Sequence, residues 1–528
     1  MLKKTRCALI LVCILSLLCL ASGSACTAVY VGKDASDDGT IMIAKSNDYP
    51  DVWPNYIAVT EHVDNAPGRT MPVDNDGTVL AEIPAATYRY TSTPFTDSGS
   101  ANSGLANDAT VCANECGVSM VMSITAFSNK KALEADPLIK NGLTEFTAVD
   151  LVICQSATAR EAVQVLLGIL DRYGSSECNI ALITDREETW YVEMYTGHQY
   201  AAVKLPADRI CVFGNEFTLE YVSDYLDSVL SPDLARLAEE HGFAVYGRDG
   251  EMNLYETYSG REVRTAYSHM RTWMGHRVLA PNEYGADYDP EGFYPLCFSA
   301  DRKVSLRDVM ELIRNRYEGT AYSPDDTGRT DMRVIGTDTA LSVHILQVYP
   351  DLAPEICTVT WESTAPAVHG VFVPVSSAMT EIRSAYGRNQ SAEERLNFDM
   401  EYPWYVFKAL NTLCVEPSAC RTYGAPVRQY WRLAEDRMIE GMRAVLEEAA
   451  GMETDAAAVL LTDWCSRMQD LAFEDAKILL NDVLRTMAKN SNTMKNGRNP
   501  ETGEILDEGR VLPPMEIRPD GDGYGRRD

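Results

Sequence analysis

The sequence predicts an α+β fold with a C-terminal helical extension. Strand-like and helix-like runs interleave from about residue 26 to 380. The character changes at about 402, where segments rich in Ala, Leu, Met and Glu begin. A β-hairpin pattern also opens at Cys26, directly behind a leader-like N-terminus. The chain has 528 residues, more than the ~250–300 that one hydrophobic core usually holds. One large domain with additions, or two domains, is therefore expected.

The elements follow in order. Lys3, Lys4 and Arg6 form a positive region, an apolar stretch runs from Cys7 to Ala21, and small residues fill 21–25. This reads as a secretory signal peptide, too short for a comfortable membrane span. An N-terminal anchor helix is the alternative. The best cleavage site lies between Ala25 and Cys26; a lipoprotein box would want a Leu-like residue where Gly23 stands. No later apolar run approaches ~18 residues, so no membrane span is expected after signal removal. The chain would then be exported, either extracellular or held at the cell envelope.

Thr27–Gly32 and Thr40–Lys45 read as two strands joined by a turn carrying Asp38-Gly39. Ser119–Thr125, Asn179–Thr184, Thr189–Met194 and Ile210–Phe213 read as further strands. Thr147–Cys154 has helical spacing. Thr158–Tyr173 starts on a Thr cap with Glu161 three residues on, a capping-box pattern. Ser305–Tyr317 repeats that design with Ser305 and Asp308. Segments 428–450 and 453–489 read as helices. The expected layout is a signal peptide over 1–25, a catalytic domain over 26–401, a helical extension over 402–490 and a disordered tail over 491–528.

Composition excludes some functions. Basic residues number 47 and acidic residues 77, a net charge of −30. Neutralising nucleic-acid phosphates needs Lys/Arg clusters, and none of length occurs, so no nucleic-acid partner is expected. The histidines (His62, His198, His241, His269, His276, His344 and His369) form no metal-ligand pair. Cys112 and Cys116 make a C-x₃-C without a second pair, and no P-loop, dinucleotide fingerprint or Gly-x-Ser-x-Gly elbow is present. No cofactor or metal is expected. The linker-like stretch Asp97–Gly104 suggests a loop over the site.

Cys26 is the residue with chemistry in its position. Cleavage before it would free an α-amine of pKa ≈ 7.7–8.0. That amine lies within reach of its own thiol, so one residue can supply both nucleophile and base. This is the logic of N-terminal nucleophile hydrolases. A buried structural cysteine on a first strand is the competing reading.

The opening CTAVYVGKDASDDGTIMIAKSNDY resembles that of the bacterial cysteine dipeptidase family of N-terminal nucleophile hydrolases. Penicillin V acylases and bile salt hydrolases are more distant relatives. Further motifs resemble the family in order: Asn114-Glu115-Cys116-Gly117-Val118 with Met120, Met122 and Ser123; Ala162-Val163 through Tyr173-Gly174-Ser175; Trp190 to Glu193 with Gly197-His198. Asn215-Glu216-Phe217, Arg271-Thr272-Trp273, residues 309–320, Arg333 with His344, and Trp361 with Pro374 continue the series to about residue 490. The resemblance implies an αββα sandwich with Cys26 at the start of a central strand, and a short peptide as substrate. It also allows a homo-oligomer.

Roles carry over where residues match. The resemblance makes Cys26 the nucleophile and Asp48 the group that orients its amine and thiol. Lys45 stands where relatives carry Arg; it keeps the positive charge that lowers a thiol pKa but loses planar bidentate geometry. Asn215 matches a side-chain oxyanion donor, worth ~2.7–4 kcal/mol in a transition state. A backbone N–H near Ser123–Thr125 would be the second donor. Arg271 resembles a buried supporting Arg. The implied activity is dipeptide hydrolysis through a thioester. Hydrolysis of non-peptide amides, a secreted binding protein without the chemistry, and a Cys–His protease using His198 or His344 stay open as alternatives.

Of 14 cysteines, Cys7, Cys13 and Cys19 fall in the signal region. Eleven remain. With Cys26 free, ten could pair, although Cys154 and Cys211 sit in apolar runs that suit buried thiols.

Overall fold

The computed structural model of the protein describes residues 26–49, 51–96, 109–122, 124–329, 331–391, 393–416, 419–496 and 515–526. The signal-peptide reading of 1–25, the loop Asp97–Gly104 and, of the stretch Ser123–Thr125 expected to give the second oxyanion donor, Ser123 lie outside them.

Two antiparallel sheets face each other between helical layers. The six-stranded sheet runs in the order Ile210–Phe213, Ala28–Val31, Ile41–Asp48, Ala340–Val348, Thr358–Thr364, Val373–Ser376. The eight-stranded sheet runs Ser228–Leu230, Tyr200–Lys204, Thr189–Met194, Asn179–Thr184, Ser119–Val121, Ala109–Asn114, Tyr90–Pro94, Ala58–Thr60.

Strand alternation sorts the core into layers. Cys26, Ala28, Tyr30, Ile41 and Ile43 of the first sheet meet Val111, Ile180, Leu182 and Tyr191 of the second. From the first sheet's other face, Val29, Val31, Met42 and Ala44 pack on helices Ala266–Leu279 and Leu306–Ile313 and on the C-terminal helices. The second sheet's outer face, with Ile183 and Val192, takes helices Glu145–Ile153 and Ala159–Tyr173 through Leu151, Val152, Leu166 and Leu170. The fold is the αββα sandwich that the resemblance implied, and Cys26 enters it on the face between the sheets.

The helix Ala266–Leu279 lies close against the edge strand Ile210–Phe213. A Cβ on Gly275 would come within 2.2 Å of Val212 Cγ1, so only glycine permits this approach. The two capping designs differ in detail. Ser305 and Asp308 complete their box, whereas Thr158 caps Glu161 N but the Glu161 carboxylate accepts from Ala157 N at 2.9 Å. The Leu306–Ile313 helix also ends earlier than its pattern suggests, before Tyr317 at φ 60°.

Three C-terminal helices, Pro403–Val415, Ala425–Ala449 and Thr454–Asn496, share one core with the six-stranded sheet. The disorder expected from 491 gives way at two places. The last helix continues to Asn496, and 515–526 lie packed, with Met515 and Tyr524 buried and Arg518 bonded to Asp482. The reason is local: three side chains of this stretch find buried partners that a scan for periodicity does not register. Among the described residues, no helix is long and apolar enough to cross a membrane.

Candidate active site

The hairpin brings the first site residues together. Ala28 pairs with Lys45 across it, Ser46 N donates to Thr27 O at 3.0 Å, and Thr27 N donates to Ser46 Oγ at 3.1 Å. Cys26 therefore sits beside the end of the strand that carries Lys45, Asn47 and Asp48. Cys26, Asn47 and Asp48 line a cleft with Glu145, Phe146 and Trp53.

Asn215 and Arg271 arrive from the other side of Cys26. Asn215 follows the edge strand, and Arg271 lies one turn into its helix, fully buried. A Cβ on Gly214 would stand 3.2 Å from Arg271 Cζ and 2.8 Å from Ser268 O, so the glycine admits the guanidinium. Arg271 donates to the Cys26 carbonyl, to Thr27 Oγ1 at 3.0 Å and to Asn215 Oδ1 at 2.8 Å. With Oδ1 held, the amide nitrogen of Asn215 faces the other way and donates to Thr125 O at 2.7 Å. An amide carries two N–H donors, so one remains for another acceptor.

All five residues singled out in the sequence thus converge: Cys26, Lys45, Asp48, Asn215 and Arg271. Lys45 is not an exposed strand end. It is fully buried and its ammonium donates to Asn47 Oδ1.

Burial and charge oppose each other here. Burial raises the Cys26 thiol pKa, Lys45 lowers it, and the carboxylates of Asp48 and Glu145 raise it further. Burial lowers the Lys45 pKa, with Cys26, Glu145 and Asp48 acting against that. Burial pushes the Asp48 carboxyl up to about 7, against the pull of Arg271, Arg333, the Ser46 hydroxyl and Lys45. Among the described residues, neither Asp48 carboxylate oxygen accepts a hydrogen bond of good geometry, and the Ser46 hydroxyl is its polar neighbour. Leaving a buried charge or polar group unpaired is costly, so this carboxylate favours a hydrogen-bond donor beside Cys26.

Sequence reasoning missed three contributors. Glu145 was placed outside its helix because the apolar pattern starts at Thr147; the Thr144 cap position was the available signal. Asn47 links Lys45 to the sheet behind it: Nδ2 donates to Ser342 Oγ at 2.9 Å and lies 3.3 Å from His344 Nε2, while Oδ1 also accepts from Thr110 Oγ1 at 3.1 Å. Third, aromatic rings gather at the cleft, Trp53 standing 4.8 Å from Phe95 and 5.6 Å from Phe146.

The histidines proposed for a Cys–His pair are engaged elsewhere. His344 lies buried against Glu362 and Ser342, and His198 bonds to Asp136 at 3.1 Å; neither lines the cleft. Among the described residues, no group of three or more His, Cys, Asp or Glu is arranged to hold a metal ion.

Comparison with known proteins assigns the chain to a family. The profile of peptidase family C69 matches residues 25–430. The chain is 28% identical over 409 residues to the "Probable dipeptidase B" of Streptococcus pyogenes serotype M1, covering 74% of this chain and 79% of that protein. It is 31% identical over 360 residues to the "Probable dipeptidase" of Latilactobacillus sakei, covering 64% and 71%. Among solved structures, a mutant conjugated bile acid hydrolase from Clostridium perfringens aligns over 69% of this chain and 95% of that one, at 8% identity and a TM-score of 0.33. The family match begins one residue before Cys26 and spans the hairpin, both sheets and the Arg271 helix: the chain belongs to peptidase family C69.

Proposed function

We propose that the protein is an exported dipeptidase that works from an N-terminal Cys26. The observation that carries this reading is the buried Asp48 carboxylate beside Cys26, which accepts no hydrogen bond of good geometry among the described residues. Removal of residues 1–25 would free the α-amine of Cys26 beside that carboxylate, a neutral base that becomes cationic, and is then held by Asp48, once it takes the thiol proton. The names of the relatives and the family match support dipeptides as the substrate class.

The chemistry follows from the positions. The α-amine takes the thiol proton, and the thiolate attacks the carbonyl carbon of the first substrate residue. The free N–H of Asn215 receives the developing oxyanion while Arg271 holds the amide from its oxygen end. The C–N bond then breaks, and the α-ammonium returns its proton to the departing amine. A thioester on Cys26 remains. Water adds to it, giving its proton to the α-amine, and the thiol is restored as the acid leaves. Lys45 compensates the thiolate charge throughout.

A panel of dipeptides, penicillin V and a bile-salt conjugate, assayed with a chain shown by mass spectrometry to begin at Cys26, tests the proposal. Dipeptide turnover that Cys26→Ser abolishes is the expected result. Turnover of the other two amides alone, or unchanged turnover in a folded Cys26→Ser variant, contradicts it.

A further inference from the structure

We propose that Glu145 is the anchor for the α-ammonium group of the substrate's first residue. This rests on the dipeptidase reading above and names what that reading leaves open, the means of recognising a free amino terminus.

Chain geometry makes the demand. In a dipeptide, the carbon attacked by Cys26 is bonded to the Cα that bears the α-nitrogen, so the two lie about 2.5 Å apart. An acceptor for that ammonium must therefore stand in the nucleophile's own cleft. Among the described residues, two carboxylates line it, Asp48 and Glu145. Asp48 is committed to the amine of Cys26, which leaves Glu145.

The surroundings of Glu145 suit the task. It is the first residue of its helix, 8% exposed, with Phe146 beside it in the cleft wall. Its Oε2 accepts from Asn179 Nδ2 at 2.9 Å and from Thr125 Oγ1 at 3.4 Å. Among the described residues, no hydrogen bond ends on Oε1. Thr125 is also the residue whose carbonyl accepts from Asn215. One residue thus ties the ammonium acceptor to the oxyanion donor, setting the two ends of the reacting amino acid at a fixed spacing. Glu177 lies behind, accepting from Glu145 N at 2.6 Å; burial first, then the Glu145 charge, raises its pKa well above the usual range. Lys45, the nearby cation, is bonded to Asn47 rather than to Glu145.

The test compares a dipeptide such as Ala-Ala with its N-acetyl derivative. With the chain beginning at Cys26, kcat/KM for the free dipeptide should exceed that for the acetylated one at least tenfold. Glu145→Gln keeps the size and an acceptor but removes the charge; it should lower kcat/KM for the free dipeptide about 10- to 100-fold, the range of a charge-assisted hydrogen bond, and collapse the ratio toward one. A merely structural role would lower both substrates alike and leave the ratio intact, which overturns the proposal. Equal hydrolysis of both substrates by the unmodified enzyme overturns it even if the variant fails to fold, and leaves the dipeptidase reading standing. Hydrolysis of neither substrate removes the dipeptidase reading and this inference with it.

Discussion

Cys26 sits among charged and polar side chains that can be tested one at a time. Lys45 is the one whose charge lowers the thiol pKa among the groups that shift it most. Lys45→Met should move the pH dependence of Cys26 alkylation by iodoacetamide to higher pH, while Lys45→Arg should keep it in place. Asn215→Ala should cut kcat by about 10²–10³ with little change in KM, since its donor acts on charge formed in the transition state. Asp48 gives a stability signature. Its folded pKa, about 7, lies above the ordinary aspartate value of 3.8. The stability it contributes is therefore complete below about pH 4 and is lost as pH rises through 7, by at most about 1.4 kcal/mol per pH unit. Urea denaturation of the chain still carrying residues before Cys26 should show this loss between pH 5 and 7.5, and Asp48→Asn should lack it.

Elements with strong internal signals were legible in the sequence. Asn179–Thr184 and Thr189–Met194 match residue for residue, because turn chemistry and β-branched runs agree there. The helix that carries Arg271 was not legible. His269, Arg271, Thr272 and His276 are all buried along with Met270 and Trp273, so polar and apolar residues alternate without a face. Tertiary partners, not periodicity, define that helix. Arg271 could be found only by resemblance, and Glu145 and Asn47 only by position. The C-terminal extension shows the same dependence on partners. Fully buried Glu435, on Ala425–Ala449, accepts from Arg307 at 2.5 Å, from Arg314 Nη1 at 3.1 Å and from Phe372 N at 2.9 Å. Burial pushes its pKa up, but Arg314, Arg307 and these hydrogen bonds outweigh it and hold the carboxyl low. Glu435→Ala leaves the two guanidiniums without their shared partner. It should cost about 3–5 kcal/mol in chemical denaturation, with the site residues untouched.

The whole molecule places Cys26 between two sheets and braces the six-stranded sheet with helices that reach past the family match. The segment 515–526 belongs to that brace: Arg518 bonds the fully buried Asp482 through both its guanidinium and its backbone N–H. A chain ending at residue 496 should melt a few degrees lower by calorimetry with kcat/KM unchanged at 25 °C, since none of the described residues removed, 515–526, lines the Cys26 cleft. The central claim concerns the other terminus. Two proteins differing by one residue decide it, one beginning at Cys26 and one retaining Ala25, each with its N-terminus verified by mass spectrometry before and after a dipeptide assay. Hydrolysis by the first and none by the second is the predicted result. Equal turnover by the chain that still carries Ala25 would contradict an N-terminal amine as the base.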